Sequence, residues 1–521
     1  MPRAETMQSE EDFLKTFSLV ILSWILLPVS LATVCFRKVF CSPTCDVVKL
    51  SHFRSRDRSD FGERRILVTG VGMSKGLALA RSFHLCGHRV IGADFEASSI
   101  PCSGRFSSSL YAFRRLPRPT SKADGDAYIK CLVEIIKTEG IELWVSCSGV
   151  ASAVEDAQAK EAIEQATRCR CIQFDVATTS MLHEKDSFMR ACKERRLPIP
   201  ETYDVKCKDD AIQGLSTSMV NNPERKFILK PVGMDDANRG NMTLLPLTSE
   251  AKTKEYLFWR HIQPSEPWIL QQFIAGGEEY CTHALVVCGE VKCFVACPSS
   301  ELLMHYKVLP PDSALSKAML DFTVKFIQRS PSPESMTGHL SFDFMVDVGS
   351  AVPGGRIQRS IYAIECNPRA HTAVVLFAQP GEVMEKMVRA YLTAIDDPEN
   401  PYLASLHRNG YIKEEPEELV TPTPDTLPRY WLGHDLVSLA IRPLLLELFG
   451  MFKGPTVDTS KEVGNFFSHF MAWKEGTFEM WDPLPALALY HVYWPLTILD
   501  AWWHKRRWSR INVSTTKVFS C

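Results

Sequence analysis

Arg65-Ile66-Leu67-Val68-Thr69-Gly70 is an apolar run that ends in glycine and enters the turn Gly70-Val71-Gly72-Met73-Ser74-Lys75-Gly76. A helix-length segment follows at 77–86, then a second apolar run, Arg89-Val90-Ile91-Gly92-Ala93-Asp94, which closes on an acid. Strand, glycine turn, helix and strand make a βαβ unit, and its right-handed crossover demands parallel strands covered by helices. The spacing predicts a further helix at 126–138 and a strand at 142–147, which continue the alternation. The glycines have two readings. They let a backbone approach a phosphate, or they let the helix pack closely on its strand.

With 521 residues the chain has room for about three domains. Lys and Arg number 59 against 61 Asp and Glu, so the net charge of −2 offers no electrostatic footprint for nucleic acid. The 17 cysteines are scattered and form no CxxC pair. Cys169 with Cys171, and Cys293 with Cys297, lack the companion ligands of a zinc site, so reduced structural thiols are expected. Thr16 to Phe36 carries no charge and is long enough to cross a bilayer as a helix. Glu5, Glu10, Glu11 and Asp12 precede it, and Arg37, Lys38, Lys49, Arg54, Arg56 and Arg58 follow it. That asymmetry predicts one N-terminal membrane span with the remainder of the chain in the cytoplasm. Pro28 leaves a kinked or interfacial helix open.

Downstream, a helix at 184–195 is stopped by Pro198 and Pro200, and Phe227–Pro231 is a short strand presenting Lys230. Trp268–Ile274 is another strand, and 283–288 with 291–296 reads as a hairpin. Leu340–Asp347 and Ile364–Arg369 are two further strands. Side chains alternate along a strand, so Glu365 and Asn367 share a face. With Asp343 they offer the hard oxygens that suit Mg²⁺, and Arg369 can steady a transferring phosphoryl group. Residues 401–430 are acidic and proline-rich, a linker or extended arm. Residues 432–452 and 481–503 are aromatic and apolar, ahead of His504-Lys505-Arg506-Arg507-Trp508. Such a tail lies at a membrane headgroup layer or packs on the catalytic body; both stay open.

In this order the segments from Lys185 to Arg369 resemble the ATP-grasp superfamily, and the resemblance covers roughly residues 64–395. It is carried by Lys185 with Phe188–Pro200, by Ile228-Leu229-Lys230-Pro231 with Ile269–Tyr280, and by Asp343 with Glu365-Cys366-Asn367-Pro368-Arg369. It implies an α/β and α+β chain: anchor and linker at 1–60, a Rossmann-like pre-ATP-grasp domain at 61–180, a two-lobed ATP-grasp domain at 181–400, and an aromatic-rich extension at 401–521. It implies that Lys185 and Lys230 meet nucleotide phosphates, and that Gln271, Gln272, Phe273 and Ile274 form an edge pairing with adenine. Glu279 would accept from the ribose hydroxyls, with Glu278 as competitor. Asp343, Glu365 and Asn367 would hold Mg²⁺ (or Mn²⁺). Arg369 and Lys307 would contact the transferring phosphoryl group or the acyl-phosphate. His371 would orient an amine or cap the following helix. Two departures stand out. The loop after Lys230 carries only Gly240 near its tip, where Arg239 would supply by side chain what glycines supply by backbone, and Gln272 stands where many relatives have glutamate.

The implied activity is ATP-dependent ligation of a small-molecule carboxylate to an amine. Carbamoyl-phosphate-synthase-like and amino-acid-ligase branches look closest. A mycosporine-type branch, which phosphorylates an enol oxygen, and fungal secondary-metabolite ligases are further substrate readings. Membrane attachment through the N-terminal segment and a homodimer complete the expected partners. A non-catalytic, membrane-associated ATP-binding regulator is the alternative, and NAD at the glycine turn is a third reading.

Overall fold

The computed structural model describes residues 2–40, 62–147, 149, 152–221, 223–231, 242–266, 268–274, 277–299, 304–347, 361–395, 418–449, 458–506, 510–511 and 518–519. The βαβ unit builds a five-stranded parallel sheet in the order β3-β2-β1-β4-β5. Its strands are β1 (Arg65–Thr69), β2 (Arg89–Phe95), β3 (Ala112–Leu116), β4 (Leu143–Val145) and β5 (Arg170–Ile172). Helix α2 (Ser74–Leu85) begins inside the glycine turn, three residues earlier than its apolar pattern indicates. Helix α3 (Lys122–Glu139) starts where the Ser121 side chain accepts from Asp124 N and stops at Gly140, whose φ of 62° closes the last turn. Helices α4 (Ala153–Ala166), α5 (Val176–His183) and α6 (Lys185–Glu194) lead out of this layer.

Two antiparallel sheets follow. The smaller joins β6 (Thr202–Val205), β7 (Phe227–Pro231) and β8 (Trp268–Gln272) in the order β6-β8-β7. Helices α7 (Lys208–Asn221) and α8 (Glu250–Phe258) accompany it, and Val205, Leu215, Leu229, Leu257 and Leu270 form its core. The larger sheet has the order β10-β9-β11-β12, from β9 (Glu278–Val287), β10 (Glu290–Pro298), β11 (Gly338–Val346) and β12 (Ile361–Asn367). One face packs on α9 (Ala314–Gln328), where Phe322 meets Phe342 and Phe344 edge to face at 5.3 and 5.1 Å. Through Leu285, Val287, Cys293 and Val295, the other face joins the core containing Leu79 and Phe83 of α2 and Tyr391 of α10 (Glu382–Leu392). The described cysteines carry free thiols.

Residues 418–430 form more than a linker. Val420 bridges to the edge of β10, its N–H donating to Lys292 O while its own carbonyl accepts from Phe294 N. Further along, Arg429 pairs with Tyr306. Trp431 is fully buried, and its indole N–H lies against Ser74 Oγ and Thr477 Oγ1 at 3.0 and 3.1 Å. The Arg81 guanidinium of α2 meets the Asp482 carboxylate at 2.9 Å, both sides nearly closed to solvent. The extension therefore packs on the body of the molecule. Leu432–Asp435, π-helical Leu436–Ile441 and Arg442–Phe449 run on as one rod, α11. Thr459–Ala472 is α12. Leu484–Ala488, π-helical Leu489–Tyr493 and Trp494–Trp503 form a second rod, α13.

Helix α1 (Pro2–Phe40) is continuous through Pro28 and lies along α13. Phe17 meets Trp502 edge-on at 5.1 Å, and Ser23 Oγ donates to Tyr490 O at 2.7 Å. Its Thr16–Phe36 segment is long and apolar enough to cross a membrane and is only 11% buried, so most of its apolar surface faces outward.

Candidate active site

β11 and β12 pair so that Asp343 stands directly opposite Glu365, and Ser341 opposite Asn367. Cross-strand partners share a face. Asn367 Nδ2 donates to Asp343 Oδ2 at 3.2 Å, and register sets Glu365 on the same face. Their neighbours Phe342, Phe344 and Cys366 point the other way into the core, while Asp343, Glu365 and Asn367 keep part of their surface open. An amide can turn its oxygen where its nitrogen is drawn, so the group presents two carboxylates and an amide oxygen. That donor set fits a hard divalent cation such as Mg²⁺.

Arg369 follows two residues on, its N–H donating to Asn367 O at 2.8 Å. Its charge is felt by three neighbours. Burial first, and Arg369 second, lower the Lys75 pKa to about 7, and the Lys75 ammonium nitrogen lies 2.9 Å from Ala370 O. Burial and then Arg369 also lower His183, against Glu184 and Glu365, which raise it. His371 is pulled to about 3, by burial above all and then by His283, Lys75 and Arg369, so it stays neutral. Its Nδ1 accepts from Ala373 N at 3.2 Å, capping the short helix Thr372–Leu376. Lys75 and His183 carry no mark in the sequence that ties them to this strand pair. Lys75 belongs to the glycine turn, and His183 ends α5, which packs on β12.

The remaining expected residues are spread around this face. Lys185 is the first residue of α6, half-buried, and α6 also packs on β12. On β7, Lys230 Nζ donates to Gln271 Oε1 at 2.9 Å. Gln271 itself is buried. The expectation of an edge over Gln271 and Gln272 is corrected: β8 is the middle strand, so Gln271 pairs with both Thr202 and Ile228. Gln272 N donates to Glu201 O, and Phe273 N to Lys226 O. Phe273 and Ile274 are the part of the run that leaves the sheet. Glu279 stands opposite Met345 and so shares the face of Asp343, with Ser299 Oγ donating to its Oε1 at 2.9 Å. Glu278 lies on the other face and accepts from the Tyr280 hydroxyl at 2.7 Å. Tyr306 is buried and meets His371 edge-on at 5.5 Å, whereas the next residue, Lys307, is exposed. Arg239 and Gly240 lie outside the described residues.

The glycine turn is filled by the protein itself. Asp94 Oδ2 accepts from Gly72 N at 2.6 Å and Oδ1 from Phe95 N at 2.7 Å, and burial raises this carboxyl to about 6. A Cβ on Gly72 would stand 2.8 Å from Asp94 Oδ2, and one on Gly104 would stand 1.9 Å from Val71 O. Here these glycines serve close packing, the second of the two readings that the turn allows.

No family model matches this sequence, and no curated protein matches it. Among solved structures, N5-carboxyaminoimidazole synthetase from Staphylococcus aureus, complexed with ADP, is 15% identical, with 60% of this chain and 71% of that chain covered at a TM-score of 0.42. Pyruvate carboxylase from Rhizobium etli is 14% identical over 64% of this chain and 30% of its own, with a TM-score of 0.45. The biotin carboxylase domain of 2-oxoglutarate carboxylase from Hydrogenobacter thermophilus, in complex with MgADP and bicarbonate, is 12% identical over 63% and 69%, with a TM-score of 0.42. Likeness at this level names proteins similar in outline and assigns neither family nor activity.

Proposed function

We propose that this chain is an ATP-dependent carboxylate–amine ligase of the ATP-grasp type. The observation that carries the reading is the grouping of Asp343, Glu365 and Asn367 on one partly open sheet face, with Arg369 beside them. In this reading those three residues hold Mg²⁺ (or Mn²⁺), which when bound neutralises phosphate charge. Lys185 and Lys230, together with Arg239 and Gly240 of the segment after Lys230, meet the phosphates. Phe273 and Ile274 receive adenine, and Glu279 receives the ribose.

The reaction needs positioning more than covalent help from the protein. A carboxylate oxygen attacks the γ-phosphorus of ATP, the bond to the β-phosphate oxygen breaks, and ADP leaves an acyl-phosphate. An amine nitrogen then attacks the acyl carbon, phosphate departs, and the nitrogen loses a proton. Arg369 and Lys307 steady the phosphoryl group during both steps. Attachment to a membrane through α1 is part of the proposal, supported by the apolar surface that Thr16–Phe36 turns outward. So are a cytoplasmic catalytic portion, a homodimer, and a role in secondary metabolism, with an amino acid as the amine.

The test is release of ADP and phosphate by the detergent-purified full chain, given Mg-ATP and a panel of carboxylates, enolones and amino acids. Release that requires both an acceptor and Glu365 supports ligation. Tight ATP binding with no acceptor-dependent release across the panel supports the regulatory alternative.

A further inference from the structure

The extension closes over a second group of potential ligands, built from three separate segments. His305 comes from the connection between β10 and α9, Asp435 from the first turn of α11, and His469 from the last turn of α12. His305 Nε2 lies 2.7 Å from Asp435 Oδ1, and His469 Nδ1 lies 2.8 Å from Asp435 Oδ2. The two imidazole rings meet edge to face with centroids 4.6 Å apart. Trp473 packs against both rings, at 5.1 and 4.1 Å. All three ligand atoms fall within 4.8 Å of one another. The Asp435 side chain is wholly buried, and each histidine is 15% exposed.

A buried carboxylate is costly unless a positive charge answers it. A divalent cation would answer it. Tetrahedral ligands about 2.0–2.1 Å from zinc lie roughly 3.4 Å from one another, so shifts of under about 1 Å turn these hydrogen bonds into a coordination shell. We propose that His305, Asp435 and His469 bind one zinc-like transition-metal ion, which staples the C-terminal extension to the segment beside the candidate active site.

Two nitrogens and one oxygen select a different cation from the all-oxygen group of Asp343, Glu365 and Asn367. One route from the staple to that site runs through Tyr306. Tyr306, adjacent to His305, touches both His371 and Trp431. The proposal does not depend on ligase activity.

The test uses tag-free full-length protein, stripped with a chelator, returned to Mg²⁺ buffer and titrated with Co²⁺. One equivalent should bind with the visible absorption of nitrogen-ligated Co²⁺, and Zn²⁺ should displace it. Asp343→Asn and Glu365→Gln should leave the spectrum intact. His305→Gln and His469→Gln should each weaken binding at least roughly 100-fold, and Asp435→Asn at least roughly tenfold. Zn²⁺ should also slow proteolysis of the extension in the wild type and not in the histidine variants. A wild type without the Co²⁺ spectrum overturns the proposal, whatever the variants do. So does a spectrum that survives both histidine substitutions, or one that disappears with Asp343→Asn.

Discussion

The glycine turn of the parallel sheet and the paired strands β11 and β12 both look like phosphate sites in one dimension, and in three they are opposites. At the turn, every feature that invites a nucleotide is already used. Gly72 N–H is held by Asp94, and the space above Gly104 is occupied by Val71 O. The acid that would accept from a ribose is turned inward and nearly closed to solvent. On the strand pair, Asn367 donates to Asp343 across the ladder, and both, together with Glu365, keep open surface. A protein does not leave two carboxylates together on a sheet face without some positive charge to answer them. The lesson concerns exposure: the same polar residue types serve packing where they are buried against backbone, and offer themselves to a ligand where they line a partly open face.

Four substitutions probe that contrast. Glu365→Gln should lower acceptor-dependent ADP release roughly 10²–10³-fold, with ΔG of unfolding nearly unchanged in denaturant titrations. Equal loss of stability and activity would turn the strand pair into ordinary core. Asp482→Asn should cost about 3–5 kcal/mol, because it leaves the Arg81 guanidinium buried without its charge partner. Chemical denaturation and loosening of the extension under limited proteolysis both report it. Gly104→Ala should destabilise the chain by about 3 kcal/mol through the clash at Val71 O. NADH fluorescence should show no binding in the wild type. Saturable NADH binding would instead restore the turn as a nucleotide site.

The smallest effect lies between the two regions, at His371. Its folded pKa of about 3 is below the ordinary 6.5, so the unfolded chain binds the extra proton across that window. The stability it confers is complete above about pH 6.5 and is lost as pH falls toward 3, at most about 1.4 kcal/mol per pH unit. His371→Asn keeps an acceptor for Ala373 N and should flatten that slope, as read from unfolding midpoints at pH 7 and pH 5. An unchanged slope would place the acid sensitivity elsewhere.

Strand periodicity made the shared face of Glu365 and Asn367 legible, because they are two residues apart and each strand is long enough to fix its face. It could not reveal Lys75 or His183, whose approach to Arg369 depends on how the parallel sheet docks against the antiparallel one. The position of Gln271 in the sheet was hidden for a related reason. Its strand is central only because Thr202–Val205 adds on the far side, and that four-residue strand has no strong apolar alternation. Proline and acid content make 401–430 look like a linker, yet Val420 finds a sheet edge whose hydrogen bonds outweigh composition. Pro485 and Pro495 do not interrupt the rod at 484–503. Pro485 falls in the first turn, and a π-helical segment precedes Pro495, so the rod continues.

The contact between Ser23 and Tyr490 joins residues 467 positions apart. During synthesis α1 emerges before its neighbour α13, so its apolar surface is without that partner until those 467 residues have been made. That surface needs other cover in the interval, and the order of ribosomal delivery makes the docking of α1 on α13 a late event for a helix made early relative to its partner.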